Sequence, residues 1–209
     1  MMTDRKVRIL DVAEELFAKH GFSGTTTRLI SDTANANIAM ISYYFGGKEK
    51  LLKAILDRFA DDIYVLVKKI EEKEKDPKER LKSWLMSYLE YVFEHPNPIN
   101  IANLQLNLVT DKPDLFISTR QAFDKIIGLV YSTLEEGKES GVFQPIDIEL
   151  TVISLKSTIE NMVLQSELIK QDFNIEPADD DILFPESFRN RVKEHILSLL
   201  QSHVFKHSK

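Results

Sequence analysis

The chain has 209 residues, of which 43% are apolar and 29% are charged, a composition typical of a globular protein with a substantial core. It contains no cysteine, which excludes disulfides, thiolate metal sites and cysteine nucleophiles. Residues 1–50 hold seven Lys/Arg and six Asp/Glu, so the later residues carry the acidic excess behind a net charge of −6, and only the first fifty could face nucleic acid.

The first predicted helix spans residues 6–20. Apolar residues recur there at spacings of three and four with charged residues between them, which indicates an amphipathic helix. Gly21 follows at the position where a helix commonly ends in a left-handed residue. Either Thr25 or Thr26 is a good N-cap for a short helix from Thr27 to Thr33.

A second short helix is predicted to begin after Asn37, another capping residue. Only the sequence ANAN separates the two short helices, so the chain must bend sharply between them. Asparagine is the commonest residue besides glycine to accept a positive φ, which assigns the bend to Asn35. Two short helices that cross steeply in this way predict a helix-turn-helix.

The aromatic pair Tyr43–Tyr44 lies on the second of these helices. Ile41 and Phe45 share one face of it at a spacing of four, and this face is predicted to point inward. The tyrosines could be core aromatics with hydroxyls at the rim. In a helix-turn-helix, however, the second helix enters the major groove, and tyrosine hydroxyls can bind phosphate oxygens.

The remaining helices follow from apolar periodicity and from capping residues. No segment alternates convincingly with period two, so the predicted fold class is all-α with about nine helices. The later helices are predicted over residues 48–74, 77–94, 99–109, from Pro113 to about 141, 147–170 and 186–204.

Four short motifs lie between Gly21 and Leu56: Gly21-Phe22, Thr25-Thr26, Tyr43-Tyr44-Phe45, and Lys48-Glu49 followed by Leu51. Through these motifs the segment resembles the DNA-binding segment of the TetR (tetracycline repressor) family of bacterial transcription regulators. Departures from the family pattern are Asn35 for the turn glycine, Asn37 for the capping serine, Ser42 for an aromatic residue and Tyr44 for a histidine.

The resemblance implies a set of DNA contacts. The threonines could equally be plain N-caps, and the two roles can coexist. Three of the residues, Ile38, Ala39 and Met40, lack bidentate polar groups, so base reading would be largely apolar and specificity would rest partly on DNA shape. The expected contact residues are Thr26, Thr27, Arg28, Asn37, Ile38, Ala39, Met40, Ser42, Tyr43, Tyr44 and Lys48.

The resemblance also implies two domains: a DNA-binding domain over residues 1–47 and a ligand-binding and dimerisation domain over residues 48–209, linked by a helix over residues 48–75. The last two long helices carry wide apolar faces, which would form a dimer interface or would pack inside one subunit. The expected interface residues are Val152, Leu155, Ile159, Met162, Phe188, Val192, Ile196 and Leu199.

The expected effector pocket lies among the helices between about residues 59 and 165. Aromatic side chains with a few polar partners favour a largely apolar ligand of moderate size. The candidate lining residues are Trp84, Tyr88, Tyr91, Asn107, Phe116, Phe123 and Asn161.

Together these features predict a dimeric transcriptional regulator, a repressor that a small, largely apolar effector releases from a palindromic operator. The alternative is an all-α enzyme or small-molecule carrier with a vestigial helix-turn-helix. We expect no enzymatic activity and no cofactor, because the sequence lacks HExxH, GxGxxG, GxxxxGK[ST] and GxSxG. We expect no metal either, since the pair His203 and His207 is typical of a solvated helix end.

We expect the protein to lie in the cytoplasm, without a membrane anchor. No uncharged run provides the roughly 20 apolar residues of a spanning helix. The first residues, MMTDRKVRIL, lack the apolar stretch of a secretory signal.

Overall fold

The computed structural model describes residues 4–104, 113, 116–176 and 182–206. Within these ranges the chain forms α-helices and no strand beyond one isolated bridge, which confirms the all-α prediction. A π-helical turn, Leu200–Val204, follows the last of the described helices. These helices are α1 (Asp4–Gly24), α2 (Thr27–Thr33), α3 (Ala39–Phe45), α4 (Lys48–Lys73), α5 (Pro77–Glu94), α6 (Asn97–Leu104), α7 (Ile117–Glu139), α8 (Ile148–Leu164), α9 (Ser166–Asp172) and α10 (Glu186–Leu199).

Capping chemistry sets several helix starts at the predicted residues. The Thr26 side chain accepts a hydrogen bond from the Leu29 backbone N–H at 3.0 Å, and Asp147 does the same for Leu150 at 3.0 Å. Asp76 caps α5 by accepting from the Lys78 N–H, and Pro77 between them has no N–H that would need an acceptor in the first turn. Side-chain oxygens thus satisfy backbone donors that the helix itself leaves unpaired.

Two predicted boundaries are wrong. The predicted helix 147–170 is two helices, because Gln165 leaves the helical region (φ −106°, ψ 18°) and the buried Ser166 opens α9. The helix predicted from Pro113 begins instead at Ile117, after a turn in which the Phe116 N–H donates to the Pro113 carbonyl. The first error explains why the described residues form ten α-helices where about nine were predicted.

The chain divides into two compact units. The first comprises residues 1–62 and 97–123, and the second comprises residues 63–96 and 124–209. The predicted domains, residues 1–47 for DNA binding and residues 48–209 for ligand binding and dimerisation, are defined by function. Units defined by contacts do not test this division, so it stays a prediction. Helix α4 contributes its first part, to Asp62, to the first unit and the remainder to the second.

The first unit is built around one apolar core beneath the helix-turn-helix. Helix α6 packs against α1, although more than seventy residues separate them in the chain. The core includes Phe17, Ile30, Ile41, Phe45, Leu51, Leu52 and Ile55, together with Ile101 and Phe116 from the later segment.

In the second unit, helix α5 packs against α8 and α10. The Glu90 carboxylate on α5 lies against both Arg189 and Lys193 on α10, so one carboxylate serves two cations. Near the carboxyl end, Phe143 and Phe205 form an antiparallel bridge with their rings 5.5 Å apart. Gly137 lies so close to the Phe143 ring that an added Cβ would be 2.2 Å from it.

Candidate nucleic-acid interface

The turn between α2 and α3 has the predicted conformation. Asn35 has a φ of 52°, in the left-handed region that asparagine tolerates. Asn37 Oδ1 accepts a hydrogen bond from the Ala39 N–H at 2.9 Å and so caps the start of α3. Gly46 ends α3 with a φ of 75°, and its N–H donates to the Ser42 carbonyl at 2.9 Å. Both ends of α3 are therefore fixed by local chemistry.

Helix α3 presents one face to the core and the opposite face to solvent. Ile41 is 1% exposed and Phe45 is buried beside it, whereas Tyr43 is 82% exposed. The outward aromatic surface of α3 is therefore open to contact from outside and is not part of the core.

The outward face of α3 is aromatic, apolar and weakly polar. The rings of Tyr43 and Tyr44 are 5.0 Å apart in an edge-to-face arrangement, and Tyr44 is half-buried. Such a contact restrains both rings and leaves their hydroxyls at the periphery. Met40 is half-buried as well; the exposed side chains are Asn37, Ile38, Ala39, Ser42 and Tyr43.

The threonines before α2 have different structural roles. Thr25 is fully buried, and its Oγ1 lies 2.9 Å from the Gly21 carbonyl oxygen and 3.0 Å from that of Leu16. Thr26 is exposed and caps α2, so its hydroxyl proton remains a possible donor to an external acceptor. The sequence pattern contained both threonines but could not assign their directions.

Thr27 and Arg28 follow in the first turn of α2, where Thr27 is half-buried. The Arg28 side chain is exposed, and its one ion pair with a described residue is a long one of 4.0 Å with Asp32. Exposed pairs of this kind contribute little. Arg28 can therefore leave its partner at small cost and contact an anion.

Lys48 has an inward contact that the sequence did not reveal. Its Nζ donates to the Thr25 carbonyl oxygen at 2.8 Å and lies 4.1 Å from the centroid of the Phe22 ring. Burial lowers the pKa of Lys48, and the neighbouring charge of Glu49 acts in the opposite direction. The Lys48 ammonium group thus links the start of α4 to the segment that precedes α2.

An open groove of about 680 Å³ lies beside the end of α3 in the first unit. Tyr44 from α3, Lys6 from α1 and Lys50 from α4 are among the residues that line it. Sequence reasoning named neither of these lysines as a site residue. The groove continues along α4 to three carboxylates, those of Asp57, Asp61 and Asp62.

Two further cations of this groove are held by carboxylates. Arg58 donates from Nη1 to Asp11 and from Nη2 to Glu14, each at 2.6 Å, and thereby joins α4 to α1. Lys53 is paired with Asp57, which also accepts from the Thr119 hydroxyl.

The structure brings together only part of the predicted effector pocket. Trp84 and Tyr88 stack with their planes 3° apart and their centroids separated by 5.6 Å. Trp84 Nε1 is buried without a hydrogen-bond partner among the described residues. The adjoining cleft has room for about one water molecule, at roughly 10 Å³, and is lined by Val67, Ile70, Glu71, Arg80, Leu81, Trp84, Leu129, Val130 and Thr133.

The Tyr88 hydroxyl donates to Glu160 Oε1 at 3.3 Å. Burial raises the pKa of Tyr88 well above its ordinary value, and the charge of Glu160 and this hydrogen bond add to the effect. Glu160 also accepts from Lys156 at 2.7 Å, so its carboxylate is held from two sides.

The other candidate pocket residues lie elsewhere. Phe116 is a core residue of the first unit, and the Phe123 ring lies 5.8 Å from that of Phe59 in the same unit. The Tyr91 ring lies 4.7 Å from that of His95, and Asn161 is exposed. Asn107 lies outside the described residues.

The eight predicted interface residues differ in their burial within the single chain. Val152, Ile159, Val192 and Ile196 are buried. Leu155, Met162, Phe188 and Leu199 are half-buried or exposed. Contact with a partner stays a prediction for all eight. The apolar side chains that α8 exposes are Leu150, at 62%, and Ile153, at 56%.

Within the ranges described, no helix is both long enough and apolar enough to cross a membrane. The same residues contain no cluster of three or more histidine or acidic side chains arranged to hold a metal ion.

Comparison with known proteins connects the helix-turn-helix with a family. The family described as bacterial regulatory proteins, tetR family, matches residues 9–55. The HTH-type transcriptional repressor NicS of Pseudomonas putida is 30% identical over 139 residues, which cover 65% of this chain and 64% of that repressor, slightly under two thirds. The HTH-type transcriptional repressor KstR2 of Mycobacterium tuberculosis is 24% identical over 159 residues, covering 75% of this chain and 78% of KstR2.

Solved structures share the fold over nearly the whole chain. The ketosteroid transcriptional regulator KstR2 of Mycobacterium tuberculosis superposes with a TM-score of 0.79 at 20% identity, covering 99% of this chain and 98% of that one. The TetR family regulator PfmR from Thermus thermophilus gives a TM-score of 0.74 at 21% identity, covering 94% and 98%. At these identities the likeness shows the fold alone.

Proposed function

We propose that this chain is a TetR-family regulator, a dimeric, ligand-responsive repressor that binds an operator in double-stranded DNA; the match of residues 9–55 to that family supports the proposal. The observation that carries the proposal is the outward face of α3, with Tyr43 exposed while Ile41 and Phe45 anchor the helix in the core. Helices held in this way enter the major groove in helix-turn-helix proteins. Such a protein acts where the chromosome is, so the proposed location is the cytoplasm.

The proposed contact surface retains the residues that the sequence indicated. Tyr43, Tyr44, Ser42 and Arg28 would bind backbone phosphates, and Ile38, Ala39 and Met40 would meet base edges. Thr26, Thr27 and Asn37 combine local capping or packing with possible contacts to the backbone. Lys48 is the exception, since its ammonium group already binds the Thr25 carbonyl.

Selection of bound fragments from a genomic DNA library tests the proposal. We expect a palindromic sequence to be enriched, and its affinity to fall steeply as salt rises. The double variant Tyr43→Ala, Tyr44→Ala should bind that sequence at least tenfold more weakly, since two phosphate contacts are lost. Tyr64→Ala on α4 is the matched control, because Tyr64 lies outside the first unit. Equal affinity of the double variant and the control would refute the assigned surface.

Dimerisation would place two copies of α3 in successive major grooves, about 34 Å apart. The exposed pair Leu150 and Ile153, three residues apart on α8, supports an interface on that helix. Leu199, which α10 exposes, was also among the predicted interface residues.

The proposed effector site adjoins Trp84. Its lining is largely apolar, and the buried Trp84 Nε1 offers a donor to an acceptor atom. A small, largely apolar molecule with a carbonyl or ether oxygen fits these groups. Because the cleft has room for about one water molecule, such an effector must bind a wider conformation, and this preference would link its binding to DNA release.

Trp84 is the only tryptophan of the chain, so its fluorescence reports on this site alone. In a screen of small ketones, ethers and aromatic alcohols, a true effector should change the emission of Trp84 and weaken operator binding at matching concentrations. Val130→Phe would fill the cleft and should abolish the response to effector, whereas Val65→Phe on the exposed side of α4 should preserve it; both variants keep Trp84 as the only tryptophan. An effector that still acts on the Val130→Phe variant would place its site elsewhere.

The alternative, an enzyme or carrier with a vestigial helix-turn-helix, is not favoured. The relatives described above are named as repressors, and the outward face of α3 is exposed as DNA binding requires.

A further inference from the structure

Three side chains with affinity for anions line the groove beside the end of α3: Lys6, Tyr44 and Lys50. They come from three different helices, so the fold rather than a sequence motif brings them together. Tyr44 belongs to the proposed DNA surface, whereas neither lysine is part of the contact set that the sequence indicated. The groove therefore extends the proposed surface beyond the helix-turn-helix itself.

Both ammonium groups lie beside the last turn of α3. Lys6 Nζ is 5.5 Å from the centroid of the Phe45 ring. A Cβ placed on Gly46 would be 3.4 Å from Lys50 Nζ. Phe45 and Gly46 directly follow Tyr44, and Lys6, Tyr44 and Lys50 line the same groove, so both cations lie near the residue whose hydroxyl would bind the DNA backbone.

Ion pairing distinguishes Lys6 and Lys50 from the neighbouring cations. Lys53 and Arg58 are held by carboxylates, and Lys48 is held by the Thr25 carbonyl and the Phe22 ring. Lys6 and Lys50 form no ion pair within the part of the chain that the structure describes. Their charges are the ones available to an external anion.

The ligand chemistry follows from charge and position. Two lysines and a tyrosine hydroxyl suit a phosphodiester, which is anionic and accepts hydrogen bonds. Farther along α4, the carboxylates of Asp57 and Asp61 repel an anion, so the phosphate is confined to the end next to α3. Because Tyr44 lies in the proposed reading helix, the source of the phosphodiester is the backbone of the operator itself.

We propose that Lys6 and Lys50, rather than Lys48, provide the cationic edge of the DNA interface and bind backbone phosphates flanking the Tyr44 contact. This inference rests on the proposed function. The family resemblance indicates Lys48 as the phosphate-binding cation. In this proposal Lys6 and Lys50 have that role, and Lys48 instead links the start of α4 to Thr25. The simpler role for both lysines is to balance the partial negative charge at the carboxyl end of α3.

Salt-dependent binding of Lys6→Gln, Lys50→Gln and the double variant distinguishes these roles. Each ammonium group that neutralises a phosphate contributes about 0.9 to the slope of log affinity against log salt. We expect each substitution to reduce the slope by about that amount per protomer, on the selected operator and on a scrambled duplex alike. Thermal unfolding of each variant is measured in parallel, since a purely structural role would lower the melting temperature and leave the slope unchanged.

Lys53→Gln is the matched control, with the same loss of charge on the same helix but an ammonium group that Asp57 already holds. Equal slopes for Lys53→Gln and for the double variant would overturn the inference. Neutral methylphosphonate linkages at the edge of the half-site should weaken wild-type binding and leave the double variant unaffected; equal weakening of both would also overturn it. A wild-type chain that binds no duplex would refute the proposed function and this inference with it.

Discussion

Asn35 occupies a backbone conformation that few residues accept, and the crossing of α2 and α3 depends on it. At a φ of 52°, glycine is unstrained, whereas a β-branched side chain clashes with the backbone at a cost of about 1–2 kcal/mol. We therefore expect Asn35→Gly to retain stability and DNA affinity, and Asn35→Val to lower both. Urea unfolding and operator titration measure the two effects.

Asn174 supplies the control for this position, because it has a φ of 50° outside the helix-turn-helix. The Asn174→Val variant should show a decrease in the free energy of unfolding similar to that of Asn35→Val, and its affinity for DNA should equal that of the wild type. If both valine variants lost affinity equally, general destabilisation rather than the turn would be responsible.

Tyr88 predicts a specific dependence of stability on alkaline pH. Its pKa in the folded chain is raised above the ordinary value of 10.0 by burial and by Glu160. Below pH 10 the phenol is neutral in both states and its contribution is intact. Above that pH the unfolded chain ionises first, so the free energy of unfolding should fall by about 1.4 kcal/mol per pH unit relative to Tyr88→Phe. Parallel pH profiles for the two proteins would contradict this expectation.

At the scale of elements, the contact between α7 and the carboxyl-terminal segment depends on a residue without a side chain. Gly137 lies in α7 against the Phe143 ring, which stacks on Phe205. Gly137→Ala should lower the free energy of unfolding by about 1–3 kcal/mol, because the added methyl would overlap the ring. The better helix propensity of alanine, about 1 kcal/mol, offsets only part of this loss.

The same helix contains the control, Gly128, where an added Cβ meets nothing within 4 Å. Gly128→Ala should raise the free energy of unfolding by up to about 1 kcal/mol, as measured by urea or thermal unfolding. A loss at Gly128 as large as that at Gly137 would show that backbone conformation, and not the ring, decides the outcome.

Helix boundaries were predictable where one local group determines them. Thr26, Asp76 and Asp147 satisfy backbone donors a few residues away, and such pairings can be read from the chain. The break at Gln165 has no glycine or proline to mark it, and the next residue, Ser166, is buried although it is polar. Burial of a polar residue is not visible in apolar periodicity, so the sequence pattern missed this boundary.

The same distinction separates the site residues. The inward and outward faces of α3 followed from helical spacing, because Ile41 and Phe45 are local neighbours. The role of Lys48 did not follow, since its acceptor on Thr25 is 23 residues away in the chain. The groove that unites Lys6 with Lys50 likewise required the folded chain.

At the scale of the whole molecule, the proposed dimer depends on apolar surface that one chain leaves open. Leu150→Ser with Ile153→Ser should shift the protein from dimer to monomer in sedimentation equilibrium, because the apolar area available for association is removed. Operator affinity should fall with it, since a single α3 has one half-site to bind.

Val65→Ser provides a comparison, because Val65 is also exposed and apolar but lies on α4. It should remain dimeric and bind the operator normally. A dimer that survives the double substitution on α8 would move the interface to other surfaces of the second unit.

The first unit is assembled from two separate stretches of the chain, because α6 and the segment to Phe123 complete the core beneath the helix-turn-helix. Ile101 and Phe116 are both fully enclosed there. Transferring the proposed operator specificity to a related regulator would therefore mean exchanging two segments of the chain rather than one amino-terminal block. In a chimera made by a single crossover after α3, the core residues of α1 to α3 would come from one parent, and those at the positions of Ile101 and Phe116 would come from the other.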